Sequence, residues 1–344
     1  MRIACLLRTG IFYGAENMTV LAAMHMSKNH DVWYCCPEGP VCDYLNDTGV
    51  TYVPIDNVSV KTVKRLMKKL KPDIFLVLDN KASMVCALAG VPFVSYQQNN
   101  WPFIGNLNMY TLGMLFYCKR AIKVIGVSDH FIKEFRFSKH IRDKYTTIPN
   151  VVDLTRVKEL AGDLPQEKMY DLCFFGRIAA QKSPETFIRI VKKIMDTRPE
   201  ANAVMVGHGE LTEEVKALAA QLNVLDNITF TGFLKNPFEI VKRSRLLIMT
   251  SLYEGHCLAV IEAMSLGLPV IARRAPGLED DVDDSCGALC DIEDDFCTAI
   301  LELLTDEETY RRKSQGAIKR AQISGNVEKF VVDIEKVCIE AVGV

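Results

Sequence analysis

Short apolar runs alternating with amphipathic stretches constrain this chain more than any other feature, and the alternation happens twice. In the first half, Arg2–Arg8, Asp31–Cys36, Thr51–Ile55, Asp73–Leu78, Pro92–Ser95 and Lys123–Ser128 read as strands. Asn17–Lys28 and Val60–Leu70 carry helical periodicity between them. Apolar strands separated by helices argue for a parallel sheet covered on both faces. Ile148–Gln166 then breaks the pattern with Pro149, Gly162, Asp163 and Pro165. Beyond it the alternation restarts, with strands at Asp171–Phe175, Ala203–Val206, Ile228–Thr231, Arg245–Thr250 and Pro269–Ala272. Helices are expected at Pro184–Met195, Glu210–Leu222, Pro237–Lys242, Leu258–Leu266, Cys297–Leu304, Glu307–Gln322 and Val327–Val342. The fold class is therefore α/β, with two Rossmann-like, doubly wound parallel-sheet domains expected to face each other across a cleft. Their bounds are 1–153 and 154–325, and a final helix, 326–344, is expected to pack back toward the first domain. A chain of 344 residues is long enough for two cores.

Composition excludes several classes. No run approaches 18 apolar residues, so no membrane-spanning helix is expected, and Arg2–Leu7 leads straight into a strand-like run rather than a signal peptide. The 12 cysteines form no CxxC pair, and the nearest spacing, Cys286 to Cys290, is a poor zinc signature. Free thiols imply a reducing compartment, hence a cytoplasmic protein. The net charge of −2 hides an asymmetry: residues 1–150 hold 18 Lys+Arg against 11 Asp+Glu, and the remainder 23 against 32. A basic first half favours anionic partners, such as an inner membrane face, and nothing indicates nucleic acid. Val60–Leu70 concentrates that charge, with Lys61, Lys64, Arg65, Lys68 and Lys69 largely opposite an apolar face. It reads either as a solvated helix or as a docking helix for an anionic membrane. The aromatic stretch Tyr96–Tyr117 either adds an apolar contact there or belongs to the core.

Chemistry concentrates in the second half. Ser251–Ala272 runs from the end of one strand through a turn at Glu254-Gly255 into a helix and then a strand. The N–H groups of Gly255, His256, Cys257 and Leu258 at that helix start form a ready anion site. Glu254 and Glu262 bracket it, which suits a ligand carrying hydroxyls as well as phosphate: a nucleotide sugar. The alternative is a plain surface turn before an amphipathic helix. Gly176-Arg177 and Lys182 follow the first strand of the same half and offer a guanidinium fork and an ammonium to a diphosphate. Gly207 and Gly209, in VGHGE, end the next strand, but Thr212 stands where a dinucleotide fingerprint needs a third glycine. They read as a tight turn beside a nucleoside, or as a plain turn. There is no P-loop, GxSxG or HExxH. Asp281-Val282-Asp283 spells DxD inside an acidic loop and reads as a solvated turn.

In combination these stretches resemble the retaining GT-B glycosyltransferases of the large family 4 group, over nearly the whole chain. The strongest element is the E-x7-E pair Glu254 and Glu262 within EGHCLAVIEAMSLGLPVIA. GRIAAQKSP, RPEANAVMVGHGE, NITFTGFL, IPNVVD and VIGVSDHF support it, and Tyr13-Gly14-Ala15-Glu16 looks like the family's Gly-Gly-x-Glu loop. The resemblance implies a hexosyltransferase that moves a sugar from a UDP- or GDP-linked donor to a glycan or lipid-linked acceptor in cell-surface polysaccharide synthesis. It implies Arg177, Lys182 and Glu254 as catalytic residues. Donor contacts would come from Gly14, Gly207, Gly209, Leu234, Gly255, His256, Cys257, Leu258 and Glu262. Tyr13, Gln97 and Asn99 are expected to touch sugar or acceptor, no cofactor is expected, and no metal is required. Two departures stand out: Tyr13 replaces the loop's first glycine, and Gln97 stands near the place where the family often has a histidine. A nucleotide-sugar epimerase and a non-catalytic nucleotide-sugar binder on the same architecture remain alternatives.

Overall fold

The computed structural model describes residues 1–10, 14–45, 48–99, 101–163 and 168–343. The chain divides into two compact units, Met1–Val151 with Val327–Val344, and Val152–Asn326.

The first unit runs β1 (Arg2–Leu6), α1 (Gly14–Met26), β2 (Asp31–Cys36), α2 (Val41–Leu45), β3 (Thr51–Pro54), α3 (Val60–Leu70), β4 (Ile74–Leu78), α4 (Asn80–Ala89), β5 (Phe93–Gln97), α5 (Met109–Arg120), β6 (Lys123–Gly126), α6 (Asp129–Glu134) and β7 (Tyr145–Thr147). All seven strands are parallel, in the order β3-β2-β1-β4-β5-β6-β7. β4 and β5 are buried at every position, as strands covered on both faces must be. Local chemistry sets the helix ends. Ser59 caps α3 by accepting from the Thr62 N–H, and Asp79 caps α4 by accepting from the Ala82 N–H. Gly90 closes α4 at φ +69°. The aromatic stretch divides: Tyr96 and Tyr117 are fully buried, Trp101, Phe103 and Phe116 pack against the core, and Tyr110 is exposed. The basic residues of α3 lie in solvent, while Val63 and Leu66 enter the core.

The second unit runs α7 (Leu154–Ala161), β8 (Tyr170–Phe175), α8 (Pro184–Thr197), β9 (Ala203–Val206), α9 (Thr212–Gln221), β10 (Ile228–Gly232), α10 (Phe238–Lys242), β11 (Ser244–Met249), α11 (Leu258–Ser265), β12 (Val270–Arg273), β13 (Gly287–Cys290), α12 (Glu293–Thr305) and α13 (Glu307–Ile323). Its six parallel strands take the order β10-β9-β8-β11-β12-β13. Strand alternation splits its core in two: Cys173, Val204, Leu247 and Val270 pack on one face, and Leu172, Phe174, Met205 and Ile248 on the other. α12 begins four residues before the expected Cys297. Glu293, Asp294 and Asp295 form its first turn, where acidic side chains meet the positive end of the helix.

The last helix, α14 (Val327–Val342), belongs to the first unit and packs on α1. Its Glu335 receives His25 at 3.1 Å and His30 at 2.8 Å. Among the described residues no helix is long and apolar enough to cross a membrane.

Candidate active site

In each sheet the strand order reverses once, between β1 and β4 in the first unit and between β8 and β11 in the second. A crevice opens at the carboxyl end of such a pair, because the two following loops leave in opposite directions. In the second unit those loops are Gly176–Ser183 and Thr250–Cys257, the two stretches singled out by sequence. They are stitched together independently of any ligand. The Thr250 hydroxyl donates to the carbonyls of Lys182 at 2.8 Å and Ser183 at 3.0 Å. The Gln181 amide donates to the Tyr253 carbonyl at 2.9 Å, and the Leu252 N–H to the Gln181 carbonyl at 2.8 Å. Ser183 takes φ +44°, turning the chain into α8, which Pro184 opens. A third loop supports the second: Glu254 N–H donates to the Pro276 carbonyl at 2.8 Å, and a side chain at Gly277 would collide with the Glu254 backbone.

This framework brings the expected charges together. Lys182 Nζ lies 2.8 Å from Glu254 Oε1, with 15% and 9% of the two side chains exposed. The Cys257 thiol is 3.8 Å from the same ammonium. Burial works against the charged lysine, but its neighbours Cys257 and Glu254 outweigh it and hold Lys182 well above the usual lysine range. Burial pushes the Cys257 thiol up to about 12, so near neutrality that thiol is uncharged and Glu254 is the operating counterion. Glu262, one turn into α11, is pushed up to about 7 by burial, with Lys182 pulling the other way. One buried ammonium therefore serves two carboxylates, and the second tends to hold a proton. Arg177 follows Gly176, and the Lys182 stem passes so close over that glycine that a Cβ there would stand 3.4 Å from Lys182 Cε. The guanidinium is 57% exposed and paired with Glu210 at 3.0 Å, a contact that a diphosphate can displace at little cost.

The helix start departs from expectation. The Cys257 N–H is not available to an anion, because it donates to Asp281 Oδ2 at 3.0 Å. The other oxygen of Asp281 pairs with His256 Nδ1 at 2.7 Å. Asp281 is 3% exposed, so the solvated-turn reading of Asp281-Val282-Asp283 is wrong at its first residue. Gly255 is buried, and His256 and Leu258 are half-buried. Thr250 and Gly277 had no motif to mark them, and neither GRIAAQKSP around Gln181 nor the DxD at Asp281 pointed to the part these residues take. Only Thr250, at the end of an apolar strand beside the Glu254 turn, carried a signal in its position.

The remaining residues are dispersed. Gly207, at φ +137°, and Gly209 are glycine because a Cβ would enter the carbonyls of Gly176 and Ile178 respectively. Their requirement is satisfied within the protein, where they seat the β8 loop against the β9 loop. Leu234 packs partly into the core beyond β10. In the first unit, Gly14 opens α1 after β1, at that unit's own strand reversal. Gln97 is turned inward: 3% exposed, it accepts from the Tyr117 hydroxyl at 3.3 Å and donates to the Ser95 hydroxyl at 2.7 Å. A sugar contact by Gln97 would first have to break those bonds. Asn99 is half-buried just beyond. Tyr13 lies outside the described residues. Among the described residues no group of three or more His, Cys, Asp or Glu side chains is arranged to hold a metal.

Comparison with known proteins separates the two halves. Residues 155–320 match the family model described as glycosyl transferases group 1. The match covers the second unit almost entirely, including Arg177, Lys182, Glu254 and Glu262. An uncharacterised glycosyltransferase of Methanocaldococcus jannaschii is 29% identical over 67% of this chain and 56% of its own length. The UDP-Gal:alpha-D-GlcNAc-diphosphoundecaprenol alpha-1,3-galactosyltransferase of Escherichia coli is 28% identical over 92% of this chain and 90% of its own. This chain thus spans little more than half of the first relative and nearly all of the second. Among solved structures, HepE of Anabaena in complex with UDP-glucose superposes with a TM-score of 0.84, covering 98% of this chain and 99% of that one at 18% identity. The fold is GT-B.

Proposed function

We propose that this chain is a retaining, family 4 glycosyltransferase that moves a hexose-type sugar from a UDP- or GDP-linked donor to a glycan or lipid-linked acceptor of a cell-surface polysaccharide. The observation that carries the reading is the buried Lys182–Glu254 pair at the strand reversal of the second unit, with Glu262 on the following helix. A cation and two carboxylates in one partly buried place suit a ligand with both phosphate and hydroxyl groups. The Escherichia coli relative, by its name, uses UDP-galactose and a diphosphoundecaprenol-linked acceptor, which supports the choice of donor and acceptor class.

The chemistry follows from charge. Breaking the anomeric C–O bond leaves positive charge on the sugar and negative charge on the departing diphosphate. Lys182 and Arg177 meet the second, stabilising it more as the bond breaks than before. Glu254 accepts hydrogen bonds from donor-sugar hydroxyls, and Glu262 from the ribose. The acceptor hydroxyl attacks from the face the diphosphate leaves, and its proton passes to a leaving phosphate oxygen, so configuration is retained and no enzyme nucleophile is needed. With two cations on the diphosphate, a divalent metal has no required part. The site of action is the cytoplasmic face of the membrane. The exposed basic face of α3, together with Met109 and Tyr110, 81% and 73% exposed at the start of α5, would make peripheral contact there.

The test is a panel of UDP- and GDP-sugars with and without lipid-linked and oligosaccharide acceptors, run in chelator. Acceptor-dependent nucleotide release with an α-linked product from an α-linked donor is the expected result. Isomerised sugar without acceptor identifies an epimerase, and a thermal shift without turnover identifies a binding protein.

A further inference from the structure

Asp281 is a carboxylate buried to 3% exposure whose two oxygens both serve the donor loop, one on the His256 ring at 2.7 Å and one on the Cys257 N–H at 3.0 Å. A buried carboxylate persists only where such partners compensate its lost hydration. The other side of the imidazole, Nε2, lies 3.2 Å from the Ser324 hydroxyl. Nδ1 faces Asp281, so Nε2 is the ring nitrogen left to hydrogen-bond that hydroxyl. Ser324 ends α13, two residues before the chain leaves the second unit at Asn326. Its carbonyl accepts from the N–H of Val152, the residue by which the chain enters that unit, at 3.0 Å. α13 holds the other end too, since Arg320 donates to the carbonyl of Asp281 at 3.2 Å.

We infer that Asp281, His256 and Ser324 form a positioning relay, through which occupancy of the donor loop is felt at the entry and exit of the second unit. The inference rests on the donor-site reading given above. Glu254 and His256 are separated only by the buried Gly255, and Gly277 lies so close that a side chain there would collide with the backbone of Glu254 and Gly255. A loop so confined cannot absorb a displacement within itself, so a ligand that fixes Glu254 also fixes the imidazole two residues on. From there each step to Val152 is a hydrogen bond of 3.2 Å or less. Neither Asp281 nor Ser324 needs to touch donor. They act through the loop, and their effect is therefore on how far the stiffening spreads rather than on whether donor binds.

Hydrogen exchange of the whole chain, with and without saturating UDP or GDP, tests this directly. In the wild type, nucleotide should slow exchange at the donor loop, 254–258, and also at 152–154 and 324–326, the remote segments by about fivefold, the lower end of ordinary site-to-site coupling. Ser324→Ala should keep the donor-loop protection and lose the remote protection, and Ser324→Thr, which restores a hydroxyl, should recover it. Protection of the loop without remote protection in the wild type overturns the relay and leaves the donor site standing. Remote protection that survives in Ser324→Ala overturns it as well. Failure of both nucleotides to protect the loop removes the donor site and the relay together.

Discussion

Replacing Glu262 by Gln should stabilise the protein above neutral pH while weakening donor binding, and the two effects share one cause. The Glu262 carboxyl is pushed from 4.5 up to about 7, mainly by burial, against the pull of Lys182. A carboxyl whose folded pKa is raised binds its proton more tightly in the folded state than in the unfolded one. Between pH 4.5 and 7 the folded chain therefore holds a proton that the unfolded chain has lost, and stability falls as pH rises through that window. At about 1.4 kcal/mol per pH unit, the window corresponds to about 3 kcal/mol lost by about pH 8. Gln is nearly isosteric and does not titrate. Urea denaturation of the wild type and Glu262→Gln from about pH 5 to 8.5 should show a stability difference that shifts by about 3 kcal/mol in favour of the variant across the range. Other titrating groups cancel in that difference. Donor binding should run the opposite way, because ribose hydroxyls favour the ionised carboxylate. Calorimetry of nucleotide binding should find wild-type affinity weakening by up to about tenfold per pH unit below about 7, with the variant weak and flat. A stability difference independent of pH would refute the reasoning outright.

Other substitutions separate burial from chemistry. Lys182→Met leaves Glu254 buried without its counterion and should cost about 3–5 kcal/mol in denaturant unfolding, much of it recovered in the Lys182→Met/Glu254→Gln double variant. Arg177→Ala removes an exposed pair and should change stability by less than about 0.5 kcal/mol, yet reduce turnover on the best donor by about 10²–10³. Vesicle co-sedimentation should find binding to anionic but not zwitterionic lipid, weakened by salt and by Lys64→Glu/Lys68→Glu on α3.

What the sequence makes legible here is what short-range physics specifies. Strands buried on both faces write themselves as apolar runs, so β4, β5, β8 and β11 stand out, and glycine-ended strands mark where loops begin. β7 and β13, of three and four residues with half-buried positions, leave no such trace. Lys182 and Glu254 are far apart along the chain, and only the crossover that makes β8 and β11 neighbours lets them meet. Their types and loop positions pointed to the pair, since each follows a strand at a turn. Asp281 offered nothing comparable. An acidic loop reads the same whether its carboxylates face water or a helix start, and the partners of Asp281, namely His256, the Cys257 N–H and Arg320 on its carbonyl, are distant in sequence. Gln97 is turned inward for the converse reason: a polar residue at a strand end finds partners inside when Tyr117 and Ser95 reach it first.

The distribution of charge in the second unit has a consequence for how a donor would enter. Lys182 is nearly buried and already compensated by Glu254, so a diphosphate gains from it only by sharing or displacing that carboxylate. Bare phosphate has little to offer in exchange, because Glu254 would be left buried and facing a second anion. A sugar hydroxyl on the same ligand changes the balance: it donates to Glu254 while the phosphate takes up the ammonium. The pair thus favours a phosphate that carries a sugar over one that does not. Nucleoside diphosphate alone should bind more weakly than the intact nucleotide sugar in the wild type, and Glu254→Gln, which removes the repulsion but keeps an acceptor, should narrow the gap by tightening the diphosphate. Competition calorimetry on both proteins measures it, and equal tightening of both ligands would show that Glu254 acts only as a structural counterion.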